Sequence, residues 1–533
     1  MRTLLRGTIH GAGSADAVLV DGEFISWVGT GTPPSRPDEE VVAAAGEIIA
    51  PGFIDLQVNG YGGHDAAAGA DAIAAMSDAL PATGVTAFLP TLISAPVEVG
   101  AQFVAAVGAA SEAQGARVLG AHIEGPFLNP SFRGAHLRAH LAEPTPENVD
   151  VIEAARPRLV TLAPELPGAL TAVERLHRAG IVVAAGHTGA DFEQGRKAIE
   201  AGVRFATHIY NAMPPVHHRR PGIALALMLD PRVTVGLIAD GEHVHAAVCE
   251  QLLRVKGGGL VALTTDQTSA AGAAAGIYQL SGRPVVSDGR VVRLEDGTLA
   301  GSAATMPDLI RLMARLPGMS LHRSIGLASA VPAKVLGERG LGRVAEGACA
   351  DLVVMDAQFH VRLTMVRGMV KFRRSALWTR PFWASTSGAL RAAPDCARTD
   401  THLSTSKAPA RTSPRSNGAW SAIAWRRCSG GLATPARRHA ARVPPAPRYP
   451  ARAPVSRPCS RGCCQGAGSP SSTTAGSSWP RPASIRESPW SQARDRSRTG
   501  AAPTAASGSG VDGAGCLATM AARCGSRVKR RAR

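Results

Sequence analysis

The sequence predicts an α/β fold, a (β/α)₈ barrel of the TIM type, with a small β-sandwich formed from both ends of residues 1–375 and a disordered C-terminal tail. Three observations predict it. Short apolar runs alternate eight times with stretches of helical periodicity, hydrogen-bonding and ionisable side chains stand where those runs stop, and beyond residue 375 the pattern ceases.

The alternation places strands at 49–58, 86–90, 118–123, 159–162, 181–185, 205–208, 233–239 and 260–265. Each is a short β-branched or apolar run, as expected of a parallel sheet buried on both faces. Helical stretches such as 71–80, 169–179, 193–201 and 246–255 fill the intervals. Eight such units are the number that closes a barrel. Outside them, strand patterns at 17–20 and 24–28 flank the turn residues Asp21 and Gly22, and similar runs return at 350–355 and 366–370. The expected organisation is therefore a β domain split between 1–50 and 341–375, around a barrel spanning 51–340.

Charge separates the tail from the rest. The chain has a formal net charge of +17, which invites a nucleic-acid reading until its distribution is examined. Residues 376–533 hold 26 Lys and Arg against 5 Asp and Glu, whereas residues 1–375 hold 32 against 36. The tail has only 2 Ile, 5 Leu, 4 Val and 1 Phe in 158 residues, too little apolar surface to offset chain entropy, so disorder is expected. It shows no zinc-ligand spacing and no regular aromatic interleaving, so no specific nucleic-acid module is visible. Its mixture of Arg, Ala, Pro, Ser, Gly, Trp and Cys looks like GC-rich DNA translated in an unselected reading frame. Only Cys249 and Cys349 precede it, no disulfide framework is implied, and no apolar run suits a signal peptide or membrane span. A cytoplasmic enzyme without membrane contact is the expectation.

The ends of the strands carry the chemistry. Gln57 and Asn59 close the first strand, His122 and Glu124 the third, Glu165 the fourth, His187 the fifth, His208 the sixth, Asp240 and His243 the seventh and Asp266 the eighth. Taken singly, each is an ordinary cap or satisfied core group. Together, at the C-terminal rim of a barrel, they converge on one small volume where active sites are built. Glu124, His187 and His208 form a credible metal set, since two imidazoles and a carboxylate suit Zn²⁺ or Fe²⁺. Such an ion activates water, and Asp266 could accept and later deliver its proton, which is metal-assisted hydrolysis.

The segments 51–63 (PGFIDLQVNGYGG), 122–130 (HIEGPFLNP), 186–189 (GHTG), 207–214 (THIYNAMP) and 299–302 (LAGS) resemble the motifs of the N-acetylglucosamine-6-phosphate deacetylase family of amidohydrolases, in order and spacing. The resemblance covers about residues 1–375. It implies hydrolysis of the acetamide of N-acetyl-D-glucosamine 6-phosphate to D-glucosamine 6-phosphate and acetate. It also implies metal ligands Glu124, His187 and His208, an acid/base Asp266, and a His136 that polarises the acetyl carbonyl. Substrate contacts carried over are Ala135, Asn211, Ala212, Arg219, His243 and the loop Leu299, Ala300 and Gly301, which closes over the ligand. In the family the phosphate-binding arginine, here Arg219, reaches in from the neighbouring subunit of a homodimer.

The departures are informative too. Many binuclear amidohydrolases carry His-x-His after the first strand and a lysine after the fourth. Here Gln57 and Asn59 occupy the first place, behind the metal ligands, and residues 156–168 contain no lysine. Amide side chains are poor ligands for a transition metal, so one divalent ion per subunit, Zn or Fe, is expected. After Asp266 the family commonly has alanine, where this chain has Gln267. Two other readings stay open at this point: an amidohydrolase acting on a cyclic amide or N-acyl amino acid, and a tail-driven nucleic-acid binder with a vestigial barrel.

Overall fold

The computed structural model describes residues 1–374 and the strand Thr379–Pro381. Eight parallel strands form the barrel: β1 (Phe53–Val58), β2 (Val85–Ile93), β3 (His122–Glu124), β4 (Leu159–Leu162), β5 (Val182–Ala185), β6 (Val203–Ala206), β7 (Thr234–Leu237) and β8 (Val261–Leu263). Each pairs in parallel with the next, from β1–β2 through to β7–β8. The seam between β8 and β1 is closed by a parallel bridge from Val58 to Gln267. Side chains do the rest of that closure. The Asp55 carboxylate on β1, fully buried, accepts from Thr264 Oγ1 (3.0 Å), Thr265 Oγ1 (2.6 Å) and Thr265 N (3.2 Å) just past β8.

The helices form where the apolar spacing and the caps agree. In Ala169–Arg178 the buried positions 169, 172, 173 and 176 make one face, while Arg175, His177 and Arg178 sit favourably in the last turn. Phe192–Ala201 starts at a capping box between Asp191 and Gln194. Phe53, Phe88, Phe127 and Phe205 are fully buried in the common core. Each contributes roughly 1.5–3 kcal/mol by leaving water.

Both ends of the described chain build the β-sandwich. One sheet joins Arg2–Arg6, Ala17–Asp21, Phe24–Gly29, Glu39–Val42 and Thr379–Pro381; the other joins Thr8–Ile9, Ile48–Pro51, Leu352–Met355, Val361–Val366 and Met369–Arg373. Leu5, Val20, Ile49, Leu352 and Met365 share the core between them. Asp351 ties this core to the barrel by a bidentate bond from Arg117, at 2.7 and 3.2 Å.

Several expectations need correction. The expected strand 49–58 is two elements, because Pro51 and Gly52 break it: Ile48–Pro51 pairs with Leu352–Met355 in the sandwich, and only Phe53–Val58 enters the barrel. The run 118–123 is likewise split into Arg117–Val118 and His122–Glu124, with Gly120 at φ 121 between them. The second strand does not stop at Pro90. It runs on to Ile93, and a register shift between Phe88 and Pro90 absorbs the missing donor of the proline. Within the tail 376–533 the only described residues are Thr379–Pro381, a strand that pairs antiparallel with Glu39, Glu40 and Val41. The remainder of the tail lies outside the described residues.

An antiparallel sheet went unanticipated. Between β8 and the helix Met306–Ala314 run β9 (Gly276–Leu280), β10 (Arg283–Ser287), β11 (Val291–Arg293) and β12 (Leu299–Ser302). Residues Leu299 to Gly301 are thus a strand and not a closing loop. A parallel bridge from Ser302 to Gln267 fixes this sheet at the barrel seam. Among the described residues no helix is long and apolar enough to cross a membrane.

Candidate active site

The C-terminal rim of the barrel opens into a cavity of about 370 Å³. Its wall includes Asn59, Glu124, His136, His187, His208, His243 and Asp266, together with Ala135, Asn211, Ala212, Leu299 and Gly301. Three of the polar residues, two or three positions past their strand ends, lie in the left-handed region: His187 at φ 50, His208 at φ 27 and Asp266 at φ 49. Non-glycine residues avoid this region, and such strain clusters at functional sites.

Glu124 is the hub. Its Oε1 lies 3.1 Å from His187 Nε2 and 2.9 Å from His208 Nε2. Gln57 Nε2 donates to Oε2 at 3.0 Å, which holds the carboxylate plane. Burial works against the charge of Glu124, but His187 and His208 outweigh it and hold its carboxyl well below the ordinary range. Burial likewise opposes charging of His208, and Glu124 reverses that, raising its pKa. The point between these groups therefore attracts positive charge.

Backbone contacts decide what each imidazole can offer. His187 Nδ1 is 2.9 Å from the Phe132 carbonyl, an acceptor only, so that nitrogen carries the proton. Its Nε2 is thereby the nitrogen left to meet the Glu124 carboxylate, through a shared proton or a bound cation. His136 is the opposite case. Its Nδ1 accepts from the backbone N–H of Ser94 at 3.0 Å and meets Ser94 Oγ at 2.8 Å, so the ring's proton sits on Nε2, 3.8 Å from Glu124 Oε2. Burial, and next the neighbouring His187, keep His136 well below the usual imidazole pKa, hence neutral. Glu124, His136 and His187 have candidate ligand atoms all within 4.8 Å of one another. The tautomer makes His136 a hydrogen-bond donor into the cavity, whereas His187 and His208 bring ring nitrogens to Glu124.

Asp266 stands opposite. Asn59 Nδ2 donates to its Oδ1 at 2.7 Å, while the Asn59 Oδ1 is buried without a partner. Burial, and then the charge of Glu124, lift the Asp266 carboxyl well above its ordinary range. His243 is oriented by Asp240, whose Oδ2 lies 2.7 Å from its Nδ1. Arg283 of β10 reaches across to the Ala135 carbonyl at 2.5 Å and so ties the antiparallel sheet to the loop bearing His136.

The rim set is narrower than the sequence suggested. His122 turns into the barrel, where Thr161 Oγ1 bridges it to Thr207 at 2.8 and 2.7 Å. Glu165 spends both oxygens on loop groups, and Asp240 stands behind His243. Ala300 faces away from the cavity into a small core with Leu280, Val285 and Val292. Its neighbours on the strand point the other way, as alternation requires. Arg219 lies outside the cavity, beside a separate hollow with His217 and Arg220. Ser94, Arg283 and Asp55 had not been anticipated. Ser94 was discoverable, since it follows β2 by the same strand-end rule once the strand is carried through Pro90.

Residues 48–371 match the Amidohydrolase family. The chain is similar to the N-acetylglucosamine-6-phosphate deacetylase of Bos taurus, 37% identical over 350 residues, covering 62% of this chain and 85% of that protein. It is also similar to the N-acetylgalactosamine-6-phosphate deacetylase of Escherichia coli O157:H7, 35% identical over 334 residues, covering 61% and 88%. Among solved structures, an aspartate-to-alanine mutant of the Mycobacterium smegmatis N-acetyl-D-glucosamine-6-phosphate deacetylase, in complex with N-acetyl-D-glucosamine-6-phosphate, superimposes with a TM-score of 0.65. It is 33% identical and covers 70% of this chain and 99% of its own. A nearly closed parallel barrel, a carboxylate–imidazole cluster at its rim and relatedness along most of these proteins' lengths lead to one conclusion: the chain belongs to the N-acetylglucosamine-6-phosphate deacetylase family, within the amidohydrolases.

Proposed function

We infer that the chain hydrolyses the acetamide of N-acetyl-D-glucosamine 6-phosphate, taking up water and releasing acetate and D-glucosamine 6-phosphate. The observation that carries this reading is the grouping of Glu124, His187 and His208 around one point, with the His136 N–H and the Asp266 carboxyl on the same cavity wall. Glu124, His187 and His208 would hold one divalent ion, Zn²⁺ or Fe²⁺, in each subunit. Such an ion, when bound, acts as a Lewis acid and lowers the pKa of water towards neutrality.

The chain's own groups do the remainder. His136 donates its Nε2 proton in a hydrogen bond to the acetyl oxygen and stabilises the charge that develops there. Asp266 takes a proton from the attacking water and delivers it to the sugar nitrogen as the C–N bond breaks. Its raised pKa suits a group that must both take and give a proton near neutral pH. Asn59 keeps the carboxyl in place. Ala135, Asn211, Ala212, Leu299 and Gly301 bound the sugar, and His243 faces the phosphate end. Arg219 is outside its own cavity, which supports its reaching a second subunit's site in a homodimer, where a guanidinium suits a phosphate dianion.

Acetate release from the purified protein, with elemental analysis of the same sample, tests this reading. N-acetylglucosamine 6-phosphate, its C4 epimer and unphosphorylated N-acetylglucosamine should be compared. Stoichiometric acetate from the first, with about one divalent ion per chain, is expected. Arg219→Ala or His243→Ala should raise KM for the phosphorylated sugar far more than for the unphosphorylated one. Absence of acetate from metal-replete protein would contradict the reading, and equal KM changes would remove the phosphate roles.

A further inference from the structure

We propose that Glu165 is a positioning residue for the metal site, clamping the two loops that hold His187 in its ligating orientation. The inference rests on the reading of Glu124, His187 and His208 as ligands. His187 has φ 50, a conformation a non-glycine residue keeps only where its surroundings over-determine it. Its carbonyl accepts from Asn129 N at 3.0 Å, and its Nδ1 donates to the Phe132 carbonyl at 2.9 Å. The orientation of His187 therefore depends on where the loop 129–132 lies relative to the loop 187–189.

Glu165, just past β4, joins those two loops. Its Oε1 accepts from Asn129 Nδ2 at 2.8 Å and from Gly189 N at 2.5 Å, and its Oε2 accepts from Thr188 Oγ1 at 2.5 Å. Both oxygens are thus occupied by three donors, and Glu165 is absent from the cavity wall, so it serves neither the substrate nor an ion directly. The loops meet too closely for a side chain between them: a Cβ on Gly189 would lie 2.7 Å from Phe132 and 3.0 Å from Asn129 Nδ2. The clamp also reaches the substrate side, since Thr188 N donates to the carbonyl of Ala212, a residue of the cavity wall. An ionised carboxylate is the group this arrangement requires, because it accepts at both ends. A carboxamide keeps only one acceptor: with its oxygen on Asn129 and Gly189, its NH2 meets Thr188 Oγ1, whose hydroxyl must then stop donating there, and the charge that strengthens all three bonds is lost.

The test is Zn²⁺ affinity of the full-length protein, stripped and titrated against a chromophoric chelator, alongside kcat and KM. Groups that orient a metal ligand typically alter affinity 10–100-fold. Glu165→Gln should weaken zinc binding by about that factor and lower kcat, with KM for N-acetylglucosamine 6-phosphate within about threefold. The circular dichroism of the metal-free protein should be unchanged. Thr188→Val, which keeps the charge and removes one donor, should weaken zinc binding by a smaller factor, roughly tenfold. Parental zinc affinity and kcat in Glu165→Gln would overturn the proposal. Should that variant fail to fold, parental affinity in Thr188→Val would overturn it equally. His187→Ala separates the two readings: full zinc retention there sinks the ligand assignment itself, whereas loss there with no effect at Glu165 sinks only the clamp.

Discussion

His187 and His136 are both buried imidazoles in one cavity, and they differ in which ring nitrogen the backbone occupies. A carbonyl against Nδ1 of His187 and an N–H against Nδ1 of His136 give opposite tautomers, so one brings a lone pair and the other a proton. The sequence could nominate both residues, through strand-end position for His187 and motif resemblance for His136, but tautomers depend on Phe132 and Ser94 and were not legible. Asp266→Asn should keep near-parental metal content while kcat falls at least about a hundredfold, and near-normal turnover would remove it from the acid/base role. Asp55 gives a pH prediction. Burial, only partly offset by its bonds to Thr265, Gln57 and Thr264, raises its carboxyl to about 6 from 3.8. A raised carboxyl contributes stability that is fully present below pH 3.8 and lost as pH rises through 6, on the order of 3 kcal/mol in all. The stability advantage of the parent over Asp55→Asn, measured by denaturant unfolding, should therefore shrink between pH 4.5 and 7. A gap that is constant or grows would contradict the assignment.

At the scale of elements, barrel strands and helices were legible because burial on both faces and 3.6-residue spacing leave strong patterns. The misreadings have local causes. Pro90 reads as a stop, yet a register shift lets β2 continue to Ile93, and the early stop hid Ser94. The antiparallel sheet β9–β12 is half exposed and rich in turns, and its outward positions mix Gln279 and Pro284 with the exposed Ile277 and Val286, so no clean apolar–polar alternation marks it in sequence. Its last strand nevertheless walls the active site. Gly301 there has φ 65, and a Cβ would lie 2.6 Å from the Asp266 carbonyl and 2.7 Å from Thr268. Gly301→Ala should push β12 off the barrel seam, raise KM and lower kcat by at least about tenfold, the strain being on the order of 1–3 kcal/mol. Parental kinetics would mean that β12 does not need to sit against Asp266.

For the whole molecule, composition separated the mildly acidic residues 1–375 from the basic remainder, and the family match ends at residue 371. The two-part origin of the sandwich was legible from matching strand patterns at its ends; the strand Thr379–Pro381 was not, because three residues carry no periodicity. A chain ending at residue 381 should keep its acetate-release rate within about twofold, since Asp266, the clustered histidines and every described element precede that point. A large loss of rate or of soluble yield would give the removed residues a role. The central claim is the position of one ion, and anomalous diffraction at the metal edge from crystals of the purified protein locates it directly. The account predicts a single peak within roughly 2.0–2.2 Å of a Glu124 oxygen and of the Nε2 atoms of His187 and His208, with His136 unligated. A peak ligated by His136, or one away from Glu124, would contradict it.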